Sequence, residues 1–71
     1  MSGSVYRVTE VIGTSSESWE AAAANAVATA AGSVRDLRVA EVMREDVTIE
    51  NGAITSYRVR LGLSFKYETG D

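Results

Sequence analysis

Ten carboxylates and seven basic side chains, with no His and no Cys, are the reactive equipment of this 71-residue chain. Without His the commonest general base is missing, and no Ser–His or Cys–His arrangement can be drawn. The usual zinc sites are excluded too, since they need Cys or His. What remains is oxygen chemistry. Glu41, Glu45, Asp46 and Glu50 fall within residues 37–50, and Glu68 and Asp71 stand near the C-terminus. Arg58 and Arg60 follow in the next stretch. Carboxylates alternating along a strand are ordinarily solvated or paired, and they make no acid–base site by themselves. The residues point to binding, not to an enzyme.

These groups need a scaffold, and the chain is short of material for one. Residues 1–71 have room for a single domain, and at ~60 residues a chain buries only about 60% of its unfolded surface. Small domains usually rely on disulfides, a structural metal or self-association. Lacking Cys and His, this chain is expected to self-associate. A content of 45% hydrophobic and 24% charged residues is ordinary globular usage. A net charge of −3 gives no basic footprint for nucleic acid. No segment reaches the ~20 apolar residues of a membrane span, and Met1-Ser2-Gly3-Ser4 does not open a signal peptide. The expectation is a cytoplasmic protein without nucleic-acid or membrane partners.

Residues 5–12, Val-Tyr-Arg-Val-Thr-Glu-Val-Ile, are rich in β-branched types and predict a strand that Gly13 ends. Thr14 or Ser15 is the expected N-cap of a helix from Ser16 to about Ala31, with Glu17 in its first turn. Trp19, Ala22, Ala23, Ala26, Val27 and Ala30 share one face of it. That face is flat enough to lie close on a sheet, with Trp19 as its large anchor and Gly32 as the C-terminal cap. Residues 37–50 and 53–67 predict two further strands joined by a turn at Asn51-Gly52. The expected class is α+β, in the order β-α-β-β, with one helix packed on a three-stranded antiparallel sheet.

A two-residue turn at Asn51-Gly52 sets the register of that hairpin. Ala40 then opposes Leu63, Val42 opposes Leu61 and Asp46 opposes Tyr57, on an apolar face that the helix covers. On the reverse face Val39 opposes Ser64, Glu41 opposes Gly62, Met43 opposes Arg60 and Glu45 opposes Arg58. This second face, apolar residues among opposed charges, suits an oligomer interface. A bulge anywhere in the hairpin exchanges the faces beyond it.

The chain resembles the dodecin family. The likeness runs through Tyr6-Arg7-Val8, Val11-Ile12-Gly13-Thr14-Ser15, Ser18-Trp19-Glu20 and Leu37-Arg38-Val39-Ala40-Glu41-Val42. It continues in Ile49-Glu50-Asn51-Gly52, Tyr57-Arg58-Val59 and Ser64-Phe65-Lys66. The resemblance implies a helix wrapped by a three-stranded sheet, a hollow homododecamer, and storage of a small ligand, a flavin such as FMN or riboflavin, without turnover.

By the same resemblance the cofactor-binding positions are Val39, Arg58, Asp46 and Lys66. Flavin-binding dodecins stack the isoalloxazine ring on a Trp where this chain has Val39. They hydrogen-bond it with a Gln where this chain has Arg58. Asp46 stands where bacterial members carry an Arg that contacts phosphate, and Lys66 keeps the basic character of another phosphate contact. The Val-containing pattern is similar to calcium-binding dodecins, which implies the alternative of a calcium site; a purely structural assembly, with the pocket closed by side chains, is the other alternative. Calcium takes six to eight oxygen ligands, and the candidates are Glu41, Glu45 and Asp46, with Glu50, Glu68 and Asp71 behind them. No segment has EF-hand spacing, so carboxylates would have to converge from neighbouring subunits.

Overall fold

The computed structural model describes residues 3–66. Three strands and one helix follow in the order β1 (Tyr6–Ser15), α1 (Trp19–Ala31), β2 (Leu37–Glu50) and β3 (Ala53–Lys66). The sheet is antiparallel in the order β1-β3-β2, so the last strand is central. This is the expected β-α-β-β architecture. No helix of the described residues is long and apolar enough to cross a membrane.

Two boundaries differ from the sequence expectation for one reason. Gly13 does not end β1; it is buried within the strand, paired with Val59, and the strand runs on to Ser15 opposite Tyr57. The helix therefore starts later. Ser18, not Thr14 or Ser15, is the N-cap, its hydroxyl accepting from the Ala21 N–H at 2.9 Å, and Glu20 occupies the first turn. Gly13 lies under α1, where a side chain would overlap the Ala22 carbonyl oxygen and sit 2.8 Å from the Ala26 Cβ. Glycine here permits helix and strand to approach closely. The Asn25 amide further ties the helix to the Thr14 carbonyl at 3.0 Å.

The core is small. Ala22 and Ala26 of α1 meet Val59, Leu61 and Leu63 of β3, with Val11, Ala23, Val27, Ala30 and Leu37 packed around them. The helix covers β1 and β3 but scarcely reaches β2. Val42, expected beneath it, is 53% exposed although its partner Leu61 is fully buried. The β2–β3 hairpin turns at Asn51 and Gly52 with φ of 52° and 78°, the paired positive values of a type I′ turn. It projects from the core and stretches the molecule to 56 × 20 × 13 Å, with a radius of gyration of 14.9 Å. A compact chain of this length has a radius of about 11 Å.

The expected hairpin register holds from Val39 to Val42 and again beside the turn, but shifts at Leu37, which pairs with Phe65, and in the middle. Val39↔Ser64, Ala40↔Leu63, Glu41↔Gly62 and Val42↔Leu61 are found as derived, and so is Glu50↔Ala53. Between them Met43 is an extra residue in β2, and a compensating shift follows Thr48. From Arg44 to Thr48 every pairing is displaced by one. Arg44, not Met43, opposes Arg60; Asp46, not Glu45, opposes Arg58; Glu45 faces Val59 and Val47 faces Tyr57. The bulge carries Asp46 from the helix side of the sheet to the open side and moves Glu45 the other way.

Candidate functional site

The face of the sheet turned away from α1 presents its side chains in ordered rows across β1, β3 and β2. Val8, Ser64 and Val39 form one row; Glu10, Gly62 and Glu41 the next; then Ile12, Arg60 and Arg44; then Thr14, Arg58 and Asp46. Val8, Ile12, Val39 and Met43 are exposed apolar residues on this face. Met43, freed from pairing by the bulge, folds over Gly62, where a methyl group would lie 3.3 Å from its sulfur and 3.6 Å from Val8 Cγ1.

The best-formed polar feature is at the last of these rows. Arg58 grips Asp46 with two parallel bonds, Nε to Oδ1 at 2.7 Å and Nη2 to Oδ2 at 3.0 Å. The side chains are 41% and 40% exposed, so solvent screens the pair while its two-point geometry fixes both groups. The Arg58 hydrogen bond holds the Asp46 carboxyl below its ordinary value of 3.8, partial desolvation opposes this, and the charges of Arg58, Arg44 and Arg60 add to the lowering. Asp46 in turn raises Arg58, mainly through the same hydrogen bond.

Asp46 is held on a second side. The Trp19 indole N–H donates to the Asp46 carbonyl at 3.1 Å, and the ring meets Tyr57 edge-on with centroids 5.2 Å apart. Trp19 is 36% exposed, so it is less a buried anchor than a strut from the helix start to the bulged part of β2. Nothing in the residue pattern marked this bond, because it needs the one-residue displacement at Met43. The Arg60–Glu10 ion pair, Nη1 to Oε1 at 2.8 Å, is likewise absent from hairpin reasoning, since Glu10 stands on the other edge strand.

The four candidate cofactor-binding residues share the open face but divide between its two ends. Val39 pairs with Ser64 and Lys66 pairs with Tyr6, whereas Arg58 and Asp46 sit together in the last row. Ser64 and Arg58 are six positions apart on β3, about 20 Å at strand rise. One subunit therefore brings Asp46 to Arg58 but does not bring Val39 and Lys66 to them. Val39 supplies no aromatic ring, and the Arg58 guanidinium is engaged by Asp46.

The candidate metal ligands are also separated. Glu41 is on the open face, Glu45 is turned to the helix side opposite Val59, and both Asp46 oxygens receive Arg58. Among the described residues no three acidic side chains gather where they could hold a metal ion. Glu50 sits beside the hairpin turn opposite Ala53, and Glu68 and Asp71 lie outside the described residues.

The family Dodecin matches residues 5–68. The calcium dodecin of Mycobacterium tuberculosis is 49% identical over 63 residues, which is 89% of each chain. The crystal structure of the calcium-chelating immunodominant antigen of that organism, a calcium dodecin with a novel calcium-binding site, is 48% identical and superposes with a TM-score of 0.80, covering 96% of this chain and 97% of that one. Dodecin from Streptomyces coelicolor, 40% identical, superposes at 0.90 over 99% of this chain and all of the other. Fold, sequence identity and the span of the match agree: the chain belongs to the dodecin family.

Proposed function

We propose that this chain assembles into a hollow homododecamer that binds calcium rather than a flavin, without catalysing a reaction. The observation that carries the choice of ligand is the bidentate Asp46–Arg58 pair. It occupies two of the positions that the family resemblance assigns to flavin recognition, while Val39 leaves the stacking position without a ring. The 49% identity to a protein named for calcium supports the same direction. Self-assembly is supported by the apolar surface that the fold leaves bare: Val8 and Val39 at one end of the open face and Val42 beyond the reach of the helix. A 71-residue chain stretched to 56 Å gains the burial it lacks from other copies.

Calcium requires more oxygens than one subunit gathers, so the site is formed by carboxylates from neighbouring copies. Of the candidates, Glu41 suits this role best. It stands on the open face with no ion-pair partner within the described chain, whereas Asp46 is engaged by Arg58 and Glu45 lies on the opposite side. The test combines light scattering with calcium titration calorimetry on chelator-treated protein and fluorescence titration of riboflavin and FMN. The expected result is a mass near twelve chains, saturable calcium binding that Glu41→Gln removes and Asp46→Asn spares, and no flavin quenching. A monomer refutes the assembly. Flavin quenching without a calcium response refutes the ligand.

A further inference from the structure

Opposed side chains in neighbouring antiparallel strands lie close enough to interact, and like charges placed there repel. Arg44 and Arg60 face each other in this way on the open side of the sheet. The bulge at Met43 creates the pair, because without it Arg44 would lie on the helix side. Ion pairing within the chain leaves these two arginines incompletely engaged. Asp46 gives both oxygens to Arg58, and Glu10 reaches Arg60 by a single Nη1 contact, which leaves most of that guanidinium's donors open. Arg44 has no ion-pair partner among the described residues. On these rows three guanidiniums, Arg44, Arg58 and Arg60, stand beside three carboxylates, Glu10, Glu41 and Asp46, and Arg44 is the guanidinium that no carboxylate engages among the described residues.

The two arginines also share space for a ligand. A depression of about 300 Å³ is lined by Met43, Arg44 and Arg60. A smaller recess of about 40 Å³ beside it is lined by Ile12, Arg44, Asp46, Arg58 and Arg60. The apolar flanks contributed by Met43 and Ile12 displace water from one side of the guanidiniums, which strengthens charge-assisted bonds to an anion. Asp46 experiences the charges of Arg44 and Arg60 as well as that of Arg58, so the three act in one field. Paired planar forks of donors around a recess match a tetrahedral oxyanion.

We propose that Arg44 and Arg60 form a binding site for phosphate, either the free ion or the phosphate group of a small metabolite. The two arginines are not among the positions that the family resemblance assigns to phosphate contact, Asp46 and Lys66, although Asp46 lines the smaller recess beside them, and the site is independent of calcium. An anion seated between the two arginines replaces their repulsion with two attractions and relieves the pairing that the bulge imposes.

The test is a titration of the chelator-treated full chain with inorganic phosphate at constant ionic strength, followed by thermal melting and by phosphorus NMR line width. Parent protein should show a saturable rise in Tm and saturable broadening. Arg44→Gln should weaken binding by about tenfold or more, the loss of a charged hydrogen-bonding partner. In phosphate-free buffer it should melt at or above the parent temperature, because the repulsion is gone; a merely structural role for Arg44 would lower it. Arg38→Gln, which removes a guanidinium paired with Asp36 at 3.5 Å elsewhere on the chain, should bind phosphate as the parent does. A linear, unsaturated response in the parent overturns the proposal, as does equal binding by Arg44→Gln. Dissociation of the oligomer by Arg44→Gln overturns it as well, since the pair would then serve a carboxylate of a second copy.

Discussion

Gly13→Ala separates two expectations of opposite sign. On an ordinary strand with a negative φ, replacing Gly by Ala restricts the unfolded chain and stabilises by about 0.4–1 kcal/mol. Here the added methyl would overlap the Ala22 carbonyl oxygen and stand 2.8 Å from the Ala26 Cβ. Carbon atoms rest at roughly 3.5–4.0 Å, so helix and strand must part by about 0.7 Å or more along the seam that holds most of the core. Neither neighbour is a flexible side-chain end. Overpacking of this kind costs about 1–3 kcal/mol, and a backbone obstacle places Gly13→Ala at the upper end. For a chain of this size that corresponds to a fall in Tm of roughly 10–20 °C. Thermal unfolding at one fixed protein concentration measures it, because assembly makes Tm concentration-dependent. Trp19 is the only tryptophan, so its emission also reports whether the lifted helix releases the indole from the Asp46 carbonyl. An unchanged or raised Tm would refute the close seating of α1 on β1.

Other expectations concern the core and the ligand positions. Leu61→Ala, at a fully buried site, should lose ~2–5 kcal/mol in chemical denaturation; Val42→Ala, its half-exposed neighbour across the hairpin, should lose far less in the isolated subunit, and the reverse order would mean that the helix covers β2. Val39→Trp supplies the missing platform, and stacking of a ring on an aromatic is worth ~1–3 kcal/mol, or roughly 5- to 150-fold in riboflavin affinity by fluorescence quenching; combining it with Asp46→Asn, which loosens Arg58, should bind tighter than Val39→Trp alone. Asp46 is depressed in the folded state, so its contribution is present above the ordinary value of 3.8 and lost as pH falls through the lower folded value. Melting curves of the parent should therefore drop more steeply than those of Asp46→Asn as the buffer passes from pH 5 to pH 3, and parallel curves would show that the pair is not formed in solution.

Period-2 alternation along residues 53–67 and the Asn51-Gly52 turn made the hairpin legible, and the alanine face made the helix legible, because both signals are local and repeat many times. The middle of β2 was not legible. A bulge is a single unpaired residue, and Met43 carries no local mark that distinguishes it from a paired neighbour. Yet that one residue decides which carboxylate meets Arg58. Without the bulge Glu45 would be its partner and Asp46 would face the helix side, where Trp19 stands. With it, Asp46 binds Arg58 by its side chain and Trp19 by its carbonyl, and Arg44 is brought against Arg60. The helix boundary failed for a related reason: Gly13 signals a break by type, but the demand at that position is for closeness to Ala22 and Ala26, a tertiary requirement. The same two residues that misled the local reading thus place the helix and the charged row. A chain that kept the fold while changing its ligand would need to alter little more than the occupants of that row, since strand pairing, turn and helix seating are set elsewhere. Val39, Asp46 and Arg58 meet that condition: all lie on the open face, and none contributes to the buried cluster of Ala22, Ala26, Val59, Leu61 and Leu63.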